Sequence, residues 1–205
     1  MVVSIERNKK GSIGKQINLR ATEFKKFKRA DKEKVFSELC FCILTANCSA
    51  ESCILVQEKV AGGFITLNEK KLAGKLKKIG YRFPNKRAAY IVSARQRSDE
   101  LKELLDSKMN GKEIREWLAD NIKGLGMKEA SHFLRNVGFG DVAIIDFHII
   151  DILAQYGVIQ EPKTLTKSKY LEIEEKLEGI AKKTNLNLGE LDLYLWYAET
   201  GKILK

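Results

Sequence analysis

The sequence predicts an all-α protein, a two-lobed helical bundle, on three observations. Apolar residues make up 44% of the 205 and charged residues 31%, and only two prolines interrupt the chain. Apolar positions recur at helical spacing in one segment after another. Strand signals are few, and the best of them, Val142 to Ile145, is too short to organise a sheet. A chain of this length buries a real core without a metal or disulfide staple. With no repeat, low-complexity tract or linker, residues 1–205 read as a single compact unit whose N- and C-terminal segments pack as a second helical lobe.

The elements follow in order. Residues 1 to about 20 are polar, glycine-containing and weakly periodic, so they read as an arm or loosely docked segment whose Lys and Arg are offered to phosphate. From Asp31, "DKEKVFSELCFCILTAN" sets Phe36, Leu39, Cys40, Ile43 and Leu44 on one face of a buried helix ending near Asn47. Thr66 with Glu69 forms a capping-box pattern before "KKLAGKLKKIG", and Gly80 is a natural stop. After Pro84, "NKRAAYIVSARQRSDELKELL" predicts one long helix from about Asn85, and "GKEIREWLADNI" a shorter one with Ile114, Trp117 and Leu118 inward. "FHIIDILAQYG", "KYLEIEEKLEGIAKK" and "NLGELDLYLWYA" predict three more, the last opened by Asn187 and Glu190.

The formal charge of +10 and pI near 9.4 favour a polyanionic partner, nucleic acid first, because such a field releases counterions on contact. Lysine-rich surfaces also serve solubility and heat tolerance, so charge ranks partners without proving one. No run of 18 apolar residues and no charged-then-apolar leader is present, which predicts no membrane span, no secretory signal and an intracellular (cytoplasmic or nucleoid) location. Cys40, Cys42, Cys48 and Cys53 lie close together but lack Cys-x-x-Cys knuckles. On a helix Cys40 and Cys42 point about 200° apart, so core thiols are expected and no metal site. Asn47-Cys48-Ser49 matches a glycosylation acceptor that an intracellular chain leaves idle.

"EIREWLADNIKGLGMKEASHFLRNVG" reads as helix, turn, helix, with the hairpin over about 111–137. Gly124 and Gly126 permit the tight turn and leave backbone N–H groups at a helix N-terminus, where the dipole favours phosphate. An ordinary αα-hairpin fits that stretch equally well. Lys128 stands two residues past the turn and Asp146 lies 18 residues further on.

"GLGMK" followed by "DFH" resembles the helix-hairpin-helix DNA glycosylases, whose pattern is a Gly-x-Gly-x-Lys hairpin and a downstream aspartate. The resemblance spans most of the chain and is closest to the compact archaeal type of 8-oxoguanine DNA glycosylase/AP lyase. It implies Lys128 and Asp146 as catalytic, and Gly124, Gly126 and His148 as contacts to DNA phosphate. It places Asn47 of "LTAN" as the wedge in the gap left by an extruded base. His132, Trp196 and Lys205 become candidates for the base pocket. It also implies double-stranded DNA containing 8-oxoguanine as partner, a monomer, no required cofactor, and a hairpin able to hold a monovalent cation through backbone carbonyls. The chain departs from the superfamily in three ways. The proline usual in the loop "VGFGDVAIID" is missing. No cysteine follows Cys53, so the iron-sulfur cluster of the endonuclease III branch is not expected. His132 stands where the eukaryotic 8-oxoguanine enzymes have a cysteine.

The chemistry explains the residue types. A free lysine has a pKa near ~10.4, so at neutral pH only about 0.1% is nucleophilic. Lowering that by roughly 3 units takes about 4 kcal/mol of bias against the ammonium, from desolvation, nearby cations or a helix N-terminus. The amine would attack the sugar C1′ as the base leaves, giving a Schiff base that permits β-elimination of the 3′ phosphate. An ionised Asp146 would stabilise the cationic sugar. The sugar becomes reachable once the nucleotide is flipped out of the duplex.

Each residue also has a structural reading. Asp146 could cap the helix that follows, and both roles can coexist. His148 and His132 could be core histidines, Trp196 a core aromatic, and Lys205 a frayed end. Two rival functions share the hairpin: a glycosylase for oxidised pyrimidines, and a non-catalytic DNA-binding module that clips phosphate.

Overall fold

The computed structural model describes residues 1–27, 30–46 and 48–205, and among these the chain is all-helical, with thirteen helices and no strand. They are α1 (Val2–Lys9), α2 (Ser12–Phe27), α3 (Lys32–Thr45), α4 (Ala50–Val60), α5 (Gly63–Thr66), α6 (Glu69–Lys78), α7 (Pro84–Arg95), α8 (Ser98–Asp106), α9 (Gly111–Asn121), α10 (Met127–Asn136), α11 (Phe147–Gln155), α12 (Lys167–Lys183) and α13 (Leu188–Thr200). No helix among the described residues is long and apolar enough to cross a membrane.

Two apolar clusters hold the helices. One gathers α3 to α10, from Val35 to Val137, and ends at Val142. The other begins at Ala143, runs through α11, α12 and α13, and takes in Ile5, Ile17 and Phe24 from the start of the chain. Residues 1 to about 20 are therefore neither an arm nor loosely docked. α1 and α2 pack on each other and on α13, and the pattern was faint because each buries only a few residues: Ile5 alone in α1, and Gly14, Ile17, Ala21 and Phe24 in α2.

α3 is buried on more than one face. Val35, Phe36 and every residue from Glu38 to Thr45 lie inside, because α4, α7, α8 and α10 surround the helix. Cys40, Cys42 and Cys53 are fully buried free thiols and Cys48 is half-buried. Burial pushes the thiols of Cys40, Cys42 and Cys53 well above their ordinary range.

Two local expectations need correction. Thr66 does not cap α6, since it is the last residue of α5; Asn68 does, accepting the Lys71 N–H at 3.0 Å. The long helix from Asn85 is two helices, α7 and α8, broken at Gln96 and Arg97. Both α7 and α8 pack on α3, and the break lets Leu101 turn into the core. Gly80 does end α6, with a φ of +85° that disfavours other residues. The Asn187–Glu190 capping box opens α13 with both reciprocal bonds made.

Candidate active site

The site is assembled from two helix N-termini. α9 and α10 form the hairpin, and Gly124 in its turn has a φ of +92°. A Cβ there would meet the Tyr90 ring at 2.4 Å, so both conformation and space call for glycine. Gly126 has an extended backbone, and its N–H is taken by the Glu129 carboxylate at 3.2 Å. Lys128 follows in the first turn of α10, about a quarter exposed, its ammonium 3.4 Å from Glu129. Glu129 thus occupies one hairpin donor and neighbours the lysine.

Asp146 is the N-cap of α11 and accepts the Ile149 N–H at 3.0 Å. The segment before it, Val142 to Ile145, forms no strand, and its backbone pairs with side chains. The Tyr170 hydroxyl donates to the Ala143 carbonyl at 2.6 Å and accepts the Ile145 N–H at 3.2 Å, while Glu174 accepts the Ala143 N–H at 2.8 Å. Glu174 is itself gripped by the buried Arg115 of α9. One buried polar group therefore ties the hairpin to the loop that presents Asp146.

Between these termini lies a cleft of about 710 Å³, lined by Lys128, His132, Asp146, His148, Trp196 and Lys205 among others. Gly124 and Gly126 stand outside that lining, in the hairpin turn. Asn47 lies outside the described residues. The Trp196 and His148 rings meet edge to face at 4.8 Å, and His148 lies against Phe147, which is 66% exposed at the cleft. His148 Nδ1 is 4.0 Å from Glu199. Among buried polar atoms without a protein partner are His132 Nε2 and Trp196 Nε1. Burial drives the His132 imidazole well below its usual range, and the charges of Arg135 and Lys128 push the same way, so the ring is neutral.

Sequence reasoning missed a buried polar chain in the cleft wall. Arg135 donates to Asp192 at 2.7 Å and to Asn136 at 2.9 Å, and Asn136 donates to Glu38 at 2.6 Å. Burial raises the Asp192 carboxyl to about 6, against the pull of Arg135 and with the push of Asp146. A signal did exist: Asp192 and Arg135 are charges within apolar helical faces, and Asp192 stands one turn before Trp196. No group of three or more His, Cys, Asp or Glu among the described residues is arranged to hold a metal ion.

Arranged this way, the cleft offers an amine, a fixed carboxylate, two aromatic surfaces and a neutral imidazole to a planar, partly polar guest. Comparison with known proteins points the same way. A family model described as 8-oxoguanine DNA glycosylase matches residues 17–186. An 8-oxoguanine DNA glycosylase/AP lyase of Korarchaeum cryptofilum is 50% identical, over 100% of this chain and 98% of that protein. The crystal structure of the Methanocaldococcus jannaschii 8-oxoguanine glycosylase/lyase with a 15mer DNA containing 8-oxoguanine superposes with a TM-score of 0.96 at 51% identity, covering 100% of this chain and 99% of that one. The 8-oxoguanine DNA glycosylase of Thermotoga maritima gives 0.92 at 41% identity, covering 100% and 98%.

Proposed function

Because this chain belongs to the 8-oxoguanine DNA glycosylase family, we propose the following division of labour among the residues of its cleft. The protein is an 8-oxoguanine DNA glycosylase/AP lyase, acting on DNA that contains the oxidised base. Lys128 is the nucleophile. Its neutral amine forms a bond to the sugar C1′ as the bond from C1′ to the base breaks and the base leaves with that electron pair. The adduct opens the sugar ring to a Schiff base. Loss of a C2′ proton then expels the 3′ phosphate, which breaks the strand.

Asp146 faces the positive charge that develops on the sugar and orients the amine. Its cap bond to Ile149 fixes the carboxylate before substrate arrives, which is the condition for electrostatic stabilisation without reorganisation. The flipped base enters between Trp196 and His132, with Lys205 on the pocket wall. His148 and the hairpin glycines sit on the phosphate side, and Asn47 fills the vacated stack. A monovalent cation held by backbone carbonyls of the hairpin turn would grip phosphate and take no part in bond breaking. A DNA substrate places the enzyme inside the cell, with the nucleoid.

One observation carries this reading: Lys128 and Asp146, each held at the start of a different helix, open on the same aromatic-lined cleft. Borohydride trapping on duplex DNA with a single 8-oxoguanine tests it. The protein should form a covalent DNA adduct and Lys128→Gln should form none while still binding. An adduct persisting in the variant would assign the nucleophile elsewhere.

A further inference from the structure

The ammonium of Lys205 is engaged within the protein. It donates to Glu38 Oε2 at 2.8 Å and to Gln57 Oε1 at 2.6 Å, and it stands 4.4 Å from the centroid of the Phe41 ring. Of the three ammonium hydrogens, two are donated to these oxygens, and the charge is further balanced by the carboxylate and the face of the Phe41 ring, which directs the group into the protein. Glu38 lies on α3 and Gln57 on α4, whereas the segment 201–205 follows α13. The lysine therefore fastens the segment after α13 to α3 and α4. A second tie, Lys202 to Glu51 at 2.6 Å, joins two half-exposed groups, and such pairs contribute little. The Glu38 contact is different: the carboxylate is 4% exposed and the lysine 21%.

Glu38 is itself held. Its Oε1 accepts from Asn136, and the Gln57 amide reaches the Ser37 carbonyl at 2.9 Å. Leu204 and Lys205 both line the cleft, so the position of this tail sets the shape of the pocket beside His132.

We propose that Glu38 and Gln57 are positioning residues that clamp the Lys205 ammonium, so that Lys205 serves as an anchor for the pocket wall and not as a hydrogen-bond donor to the base. This rests on the reading of the cleft as the base pocket and deepens it. The two possible roles of the lysine predict opposite results. If the ammonium touched the base, releasing it from Glu38 would leave excision intact or improve it. If it anchors the wall, Glu38→Gln should act like loss of the lysine itself.

The test measures single-turnover excision of 8-oxoguanine, and strand cleavage at a preformed abasic site, which needs no base pocket. Glu38→Gln, Gln57→Leu and Lys205→Ala are compared, with thermal melts of each. The anchor predicts that all three slow excision by roughly tenfold to a hundredfold, the scale of a misplacement near 1 Å. Glu38→Gln and Gln57→Leu should keep abasic-site cleavage within about twofold. The Glu38→Gln, Lys205→Ala pair should be no slower than the slower single variant. Normal excision by Glu38→Gln beside an impaired Lys205→Ala would overturn the anchor alone. Normal excision by Lys205→Ala would overturn the base-pocket role of Lys205 and the anchor with it. Parallel loss of excision, abasic cleavage and melting temperature in both Glu38→Gln and Gln57→Leu would reduce these residues to general stability.

Discussion

Arg115 donates to both oxygens of Glu174, at 2.5 and 2.8 Å, with both side chains 1% exposed. The pair joins α9 to α12, and through the Ala143 N–H it also fixes the loop that leads to Asp146. Arg115→Leu would strip the buried carboxylate of its bidentate partner and leave only Lys112, at 3.9 Å, as a counter-charge, a change that costs about 3–5 kcal/mol. Urea denaturation should show a loss of that size. A change below about 1 kcal/mol would mean that Lys112 or water takes the place of the guanidinium.

Asp146 caps α11 and faces the cleft, and one substitution separates the two jobs. Asparagine caps helices as well as aspartate does but carries no charge. Asp146→Asn should therefore melt near the wild-type temperature while excision falls by roughly 10²–10³-fold, the usual cost of removing one preorganised electrostatic group. Retained excision would leave Asp146 as a cap alone.

Gly124 and Gly126 look equivalent in "GLGMK", yet their substitutions should differ. Gly124→Ala meets a left-handed φ and the Tyr90 ring, so it should destabilise by about 1–3 kcal/mol. At Gly126 an added Cβ meets only the movable end of Glu129, at 3.3 Å, and denaturant unfolding of Gly126→Ala should stay within about 1 kcal/mol of wild type. Equal losses would contradict the hairpin geometry.

Asp192 gives stability a pH dependence of defined sign. Its folded pKa, about 6, lies above the ordinary 3.8 because burial outweighs Arg135. The folded chain binds this proton more tightly than the unfolded chain, so the contribution to stability is fully present below about pH 4 and is lost as pH rises through about 6. The loss is about 3 kcal/mol over that window. Asp192→Asn does not titrate, and it also disturbs Arg135 at every pH. The wild-type unfolding free energy, taken relative to the variant's, should therefore fall by about that amount between pH 4 and 7. A flat difference would show that the carboxyl is ionised throughout.

Helix class and most helix positions were legible because they rest on local rules: apolar spacing in α3 and α9, the capping box at Asn187, the stop at Gly80. α1, α2 and the α7–α8 break were not, since each depends on what packs against the segment. At the site, Lys128 and Asp146 could be singled out from one short stretch, its spacing and the family resemblance, and the fold brings both to one cleft. Glu38, Arg135 and Asp192 could not, because their partners lie as much as 167 residues away in the chain, and a buried charge has meaning only once its counter-charge is located. The expectation that the hairpin N–H groups stand open overlooked Glu129, although a Glu three residues after the cap position is itself a capping signal.

The burial of Cys40, Cys42 and Cys53 has a consequence for the conditions under which such an enzyme works. Oxidants attack the thiolate, and sulfenic acid forms where a thiol is both ionised and reachable. Burial suppresses ionisation and access together at all three sulfurs. An oxidative burst that converts guanine to the enzyme's substrate thus finds little to attack in the sulfur-bearing core of the repair protein. Cys48, half-buried and lining the cleft, is the thiol left within reach, so the working surface would register such damage before the scaffold does.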